Sequence, residues 1–511
     1  MGHFMSPAIL LVGIGCSSGS IEADLDSGPE RDAGGRDAAA DELRVLSTQP
    51  VSDAVRVETN ASIVVAFSRP VRPATVTPET FAVSGPSGPV AGALAVEGET
   101  VTFVPDAPLH LLGSYDVTLT TGIASDDGTL VDPYRLSFRV ADGVWSSRLD
   151  LALDVGAFLS VEYNRRGDMV LAFTTASAPA TIKAVRFDAA RRAFFPPELL
   201  EEDDQPFGAA HAAINDGGDV VVAWSGSTDP ESRGWVRYHD GIWGTPAVEP
   251  GTAGLLGLTS NGTAIMASQS APGADALIEV LGPTAAAWTT PEIAVPMAAP
   301  LEILQSGDRL EILALVDAPR QLVARGYTQG VGFSDTQALS AAGETASAVH
   351  FECLPGDDLN VSWVRSEEEI WYARFDGAAH TWAPAMLAEG GPGSAICANS
   401  AGARLAAFIS DGSIYAVHAD PGQGFSAPRK LGSPLGMEYA RCAIDELGNG
   451  VLFWARASGQ SFRSRFADGV FSAPEELGNG PTMKEAVTDP LTGAVRVVFY
   501  TGVSLTARTF E

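Results

Sequence analysis

The chain has 511 residues, 54 of them Gly and 33 Pro, with 63 acidic against 32 basic side chains for a formal net charge of −31. That length can bury more than one core. The charge excludes the basic footprint that nucleic-acid binding needs, and the abundance of turn residues, with no dominant amphipathic helical run, excludes a helical bundle and favours short strands.

The N-terminal stretch MGHFMSPAILLVGIGCSSGS holds an apolar run, Met5 to Ile14, too short to span a bilayer as a helix. It ends at Gly15-Cys16 and resembles a bacterial lipoprotein signal, which makes 1–16 the signal and implies lipidation of Cys16. The match departs from the family at Gly13, where leucine is usual, and in lacking Lys or Arg before the apolar run. Residues 17–44 are small, polar and acidic, and read as a disordered tether. The implied location is the bacterial cell envelope, lipid-anchored to a membrane or secreted.

From 45 to 140 the pattern alternates with period two in segments such as VRVETNASIVVAF, VTFVPDAPL, YDVTLTTG and YRLSFRV, divided by Gly, Pro and Asp turns. Half-buried antiparallel strands alternate in this way, and about seven in this length predict a β-sandwich. The pieces Phe67-Ser68-Arg69-Pro70-Val71, Phe103-Val104-Pro105, Tyr115-Asp116-Val117-Thr118-Leu119 and Phe138-Arg139-Val140 resemble the SbsA-type, bacterial Ig-like domain of surface-layer proteins. That resemblance implies a spacer or adhesion module and no chemistry. Asp126-Asp127-Gly128 is expected to be a hairpin turn, not a metal site.

From 158 onward one phrase recurs: strand, Gly turn, apolar strand. Its copies include NRRGDMVLAF, NDGGDVVVAW, PGDDLNVSW and LGNGVLFW, with turn glycines at Gly167, Gly218, Gly262, Gly307, Gly356, Gly402, Gly448 and Gly493, spaced 51, 44, 45, 49, 46, 46 and 45 residues apart. A third strand follows each copy, and most units add a short aromatic-and-proline element such as GIWGTP, HTWAPA or GVFSAP. Four short strands per unit is the size of a propeller blade. The eighth unit ends at Phe510-Glu511 after its third strand, while ADGVWSS, from Ala141, repeats the wording of ADGVFSAP at 467–474. The expected fold is therefore all-β: an N-terminal Ig-like β-sandwich followed by an eight-bladed β-propeller over 141–511, closed by the strand 142–150. A seven-membered ring is the alternative. The repeat resembles sialidase-like and lectin-like propellers at the level of fold only. The Ser-x-Asp-x-Gly-x-x-Trp turn common in sialidase blades is not present.

Third-strand arginines recur at Arg186, Arg237, Arg325, Arg374, Arg465 and Arg508, and a residue repeated in nearly every unit is expected to serve the unit. The same holds for Trp145, Trp243, Trp288 and Trp382. His211 and His350 fall in comparable first strands, but no metal-ligand spacing is present, so core or loop histidines are expected, with no metal and no cofactor. The acidic groups Glu201-Glu202-Asp203-Asp204, Asp357-Asp358, Glu367-Glu368-Glu369 and Asp445-Glu446 are expected in solvent. Cys353, Cys397 and Cys442 occupy nearly equivalent first-strand positions; Cys397 and Cys442 either form a disulfide or remain buried thiols. No catalytic set stands out. The expected function is non-catalytic binding or scaffolding at the cell surface, with a glycan or protein partner and no nucleic acid. The alternative is a carbohydrate-active hydrolase or lyase at the propeller channel mouth. The oligomeric state and the binding residues stay open.

Overall fold

The computed structural model describes residues 42–125, 132–226, 232–269, 276–289, 299–317, 320–344, 346–353, 359–365, 369–389, 391–432, 437–456, 460–479 and 482–511. Cys16, most of the tether, Asp126-Asp127-Gly128, Asp357-Asp358 and Glu367-Glu368 lie outside the described residues, as do the side chains of His350 and Cys353.

The chain is all-β. Its N-terminal body is an Ig-like sandwich of two sheets. One orders the strands Val45–Gln49, Ile63–Phe67, Thr100–Pro105 and Gly92–Glu97. The other orders Ala54–Val57, Tyr134–Val140, Ser114–Leu119, Phe81–Gly85 and Gly88–Pro89. Alternation decides what is buried: Ile63, Val65 and Phe67 point inward between the half-exposed Val64 and Ala66. They meet Phe81, Phe103, Val117 and Phe138 in a single core, where each buried side chain contributes about 1.5–3 kcal/mol.

Among the described residues, the remainder is a series of eight antiparallel sheets of the kind that build multi-bladed propellers. In each, the first strand pairs with the second and the second with the third. The first strands are Val155–Tyr163, Ala210–Ile214, Leu255–Leu258, Ala299–Ser306, Ala346–Cys353, Gly391–Ala398, Met437–Ile444 and Thr482–Thr488. Each lies against the first strand of the next sheet, and the eighth lies against the first. The strands form because Val, Ile, Leu and aromatic residues crowd them, and they reverse where glycine accepts a positive φ, as at Gly167 (81°) and Gly218 (86°).

The fourth element of a sheet is often split. In the seventh sheet Val470–Phe471 and then Glu475–Asn479 pair with the third strand, separated at Pro474. The eighth sheet repeats this with residues from the start of the series. Trp145 bridges Phe510, Val144 exchanges backbone hydrogen bonds with Glu511, and Leu149–Leu153 pairs with Ser504–Phe510. The added strand thus runs to 153. The third sheet has three strands plus a bridge between Val280 and Thr289.

Candidate functional site

The recurrent side chains serve the sheets. Arg186 pairs with Glu198 at 2.9 Å and lies 3.8 Å from the centre of the Tyr238 ring in the next sheet. Arg237 donates to the carbonyls of Gly262 and Gly282, Arg325 to Ser334, Arg465 to Asp142, and Arg508 to Ser146. The tryptophans pack: Trp145 against Phe453 and Phe510, Trp243 against Tyr238, Trp288 against Trp235, Trp382 against Phe375. The Cys397 and Cys442 sulfurs are joined, with Cα atoms 5.9 Å apart.

Several of the described turns between first and second strands are held by a polar side chain. Asn164 Oδ1 accepts from the backbone N–H of Arg166 and Asp168, and its Nδ2 donates to the Asn215 carbonyl of the next sheet at 2.9 Å. Asn215 reaches Thr259 in the same way, and Asn399 reaches Asp445. Asp445 takes the turn role in the seventh sheet, accepting from Leu447 and Asn449. The expectation of solvent for Asp445 is therefore corrected: it is 1% exposed, because a turn cap must sit beneath its turn. Burial raises its pKa. Glu202, Asp203 and Asp204 are exposed.

The axial space between the first strands holds what the sequence reading missed. Glu162 on the first sheet, Glu302 on the fourth and Glu485 on the eighth line one cavity of about 290 Å³, with Tyr163, Arg165 and Arg441. Arg165 reaches from the first sheet to Asp216 of the second (3.1 Å) and to the Gln305 carbonyl of the fourth (2.7 Å), and so ties the three sheets together at the turn end. Burial pushes Glu302 up to about 7, with the Glu485 charge adding to it. Burial, then the charges of Glu302 and Glu485, drive Glu162 well above the ordinary range, against a hydrogen bond from Ser160. Burial also raises Glu485, against the pull of Arg441. Burial and mutual charge thus favour the protonated form of each of the three. A protonated carboxyl both donates and accepts, so the set can bind hydroxyl groups or exchange a proton with a ligand.

None of the three stands in an acidic run. The available signal was a single carboxylate interrupting an apolar inner strand, as in SVEYN, LEILQ and MKEAV. His211 lies on the inner strand of the second sheet, and burial lowers its pKa. Among the described residues no three His, Cys, Asp or Glu side chains are placed to hold a metal ion.

Residues 39–140 match the bacterial Ig-like domain family. No curated protein matches the chain. Among solved structures, the chain is similar to YCF48 bound to D1 peptide, at 12% identity and a TM-score of 0.37, covering 72% of this chain and 94% of that one. It is similar to a mutant of NanB sialidase from Streptococcus pneumoniae, at 9% identity and a TM-score of 0.33, covering 92% and 93%. It is also similar to the six-bladed fungal lectin of Aleuria aurantia, at 13% identity and a TM-score of 0.31, covering 56% and 100%.

Proposed function

We propose that this protein is a binding protein of the bacterial cell envelope, lipid-anchored through Cys16 or secreted, in which the sandwich carries a closed eight-bladed propeller. The return of the eighth first strand to the first supports the closed ring. The ligand site is the axial cavity, and the ligand is a small hydroxyl-rich unit such as a sugar. One observation carries this reading: three carboxyls from sheets far apart in the chain face one cavity, and burial raises the pKa of each, to about 7 for Glu302. Neutral carboxyls beside Arg441 and Tyr163 offer both donors and acceptors, which a polyol needs and a single charge does not supply. Calorimetric titration of the full chain against a panel of oligosaccharides tests it. Binding that weakens about tenfold or more in Glu302→Gln or Glu485→Gln is expected; binding unchanged in both would remove the cavity from consideration.

A second reading, glycoside hydrolysis in the same cavity, has its own support. A carboxyl that keeps its proton to about 7 beside other carboxyls is the acid half of an acid–base set. Release of reducing ends from a bound polysaccharide, lost in Glu302→Gln, would favour it. Binding without release favours recognition alone.

A further inference from the structure

A larger cavity, about 630 Å³, lies where the sandwich meets the first two sheets of the propeller-like body. Its walls come from both bodies: Ala107 and Pro108 from the sandwich, and Pro490, Leu491 and Thr492 from the turn on which the sandwich docks. That docking is built in. The Leu111 N–H donates to the Thr492 carbonyl at 2.9 Å, and His110 and Leu111 are 3% and 1% exposed. The cleft is therefore a formed interdomain pocket, which meets the axial cavity only at Arg165 and Ile214.

Five arginines line this cleft, Arg165, Arg166, Arg186, Arg191 and Arg192, in a chain with twice as many acids as bases. Five aspartates line it too, so formal charge alone selects nothing. Hydrogen-bonding capacity does. Asp168 accepts from Asn164, Arg166 and the Ala189 N–H. Asp489 accepts from Leu491, Thr492 and Arg496, and Asp219 from Asn215 and His239. These three carboxylates are committed to holding turns, Asp188 accepts from the Arg191 N–H, and Asp240 pairs with His239 at 3.4 Å. The guanidinium groups of Arg186 and Arg191 are not committed to the same extent. Arg186 gives only its Nε to Glu198, and Arg191, 71% exposed, has a single loose ion pair at 3.7 Å to Asp188. What Arg186 and Arg191 can offer a ligand is therefore planar N–H donors. Beside them stand the half-buried Phe195, which Arg186 and Arg191 approach at 4.8 and 5.8 Å, and the exposed Leu491.

We propose that this interdomain cleft is a second binding site, taking a sugar ring that bears a carboxylate. The carboxylate lies against the Nη edges of Arg186 and Arg191, where a planar fork meets a planar acceptor. The ring packs its C–H face on Phe195 and Leu491. The chain's overall negative field is screened beyond about 8 Å at physiological salt, so the contact pair decides binding.

The test is calorimetric titration of the full chain with galacturonate oligomers, matched neutral galactose oligomers and inorganic phosphate. The galacturonate oligomer is expected to bind about tenfold or more tightly than the neutral one, and more tightly than phosphate, which lacks the ring. Arg186→Gln should weaken it by about tenfold or more, and Arg191→Ala, at an exposed position that cannot unfold the sheet, by about threefold. Equal affinity for the neutral oligomer, or for phosphate, overturns the proposal. So does galacturonate binding that survives both arginine substitutions or is lost in Glu302→Gln, which would place it in the axial cavity.

Discussion

The seam between the sixth and seventh sheets and the seam between the eighth and first are built from different materials. The sixth and seventh share the Cys397–Cys442 bond, the Asn399-to-Asp445 hydrogen bond and one apolar cluster running from Ala395 to Trp454 and Phe471. The eighth and first meet through Arg496 over the Phe187 ring (4.1 Å), Arg192 with Glu511, and the Tyr500 hydroxyl donating to the Gly156 carbonyl. Their apolar cluster draws Val155, Met169 and Phe173 from one part of the chain and Val487, Val498 and Leu505 from another. One seam joins neighbours about 45 residues apart; the other joins segments more than 300 residues apart. The long seam must repay a larger loop-closure entropy with non-covalent contacts, so damage there should cost most.

Removing residues 1–153 strips the eighth sheet of the Trp145 bridge and of Leu149–Leu153, with its buried Leu151 and Ala152, and exposes the edge of Ser504–Phe510. Relative to a chain that begins at 141, a loss on the order of 5 kcal/mol or more is expected, with association through the open edge. Thermal unfolding and size-exclusion chromatography of the two chains measure both. Equal melting and equal monomer content would show that the seam closes without its outer strand. Cys442→Ala tests the shorter seam. A cross-link over 45 residues stabilises by about 2–4 kcal/mol in the chain-entropy account, so denaturant midpoints should fall, but less than after the deletion. A larger fall than the deletion causes would reverse the ranking of the seams.

The axial glutamates bear on both regions, since Glu485 stands on the eighth sheet, Glu162 on the first and Glu302 on the fourth. All three bind protons more tightly folded than unfolded. Their contribution is therefore most favourable below the unfolded value near 4.5 and is lost as pH rises through the folded value, about 7 for Glu302. Denaturation midpoints should fall as pH increases across that window, and Glu302→Gln should flatten the slope by on the order of 1–3 kcal/mol. An unchanged slope would mean that solvent reaches these carboxyls freely.

Legibility in the sequence followed the range of the interactions. Alternation within 63–67 marks its inward face because strand pleating is local. The spacing of turn glycines was readable because seven of the eight, all but Gly356, which lies outside the described residues, stand at φ > 0 at one place in the repeat. The Asn164, Asn215 and Asn399 cross-links were printed in the same repeat, yet their partners sit one sheet on, and nothing local marks an amide as a bridge. Glu162, Glu302 and Glu485 were harder still. They are 140 and 183 residues apart and converge only when the sheets are arranged about an axis. Asp445 misled because an acid beside an acid reads as solvent, while the turn draws one carboxylate inward and leaves Glu446 to meet Ser400 at the surface.

The smallest effect is expected where the sandwich touches the seventh sheet by charge. Arg139 and Asp468 form an ion pair at 2.5 Å, but the two side chains are 37% and 60% exposed, and exposed pairs contribute less than about 1 kcal/mol. Leu111, buried among Phe453, Val495 and Val497 of the seventh and eighth sheets, holds the same docking with apolar area. Arg139→Ala should therefore lower thermal stability marginally and leave the segment between Val140 and Trp145 as resistant to limited proteolysis as in the parent chain. Leu111→Ala should expose it, because a buried leucine deleted from such a cluster costs about 2–5 kcal/mol. Rapid cleavage in Arg139→Ala alone would mean that charge, not the leucine, fixes the sandwich to the seam that closes beside it.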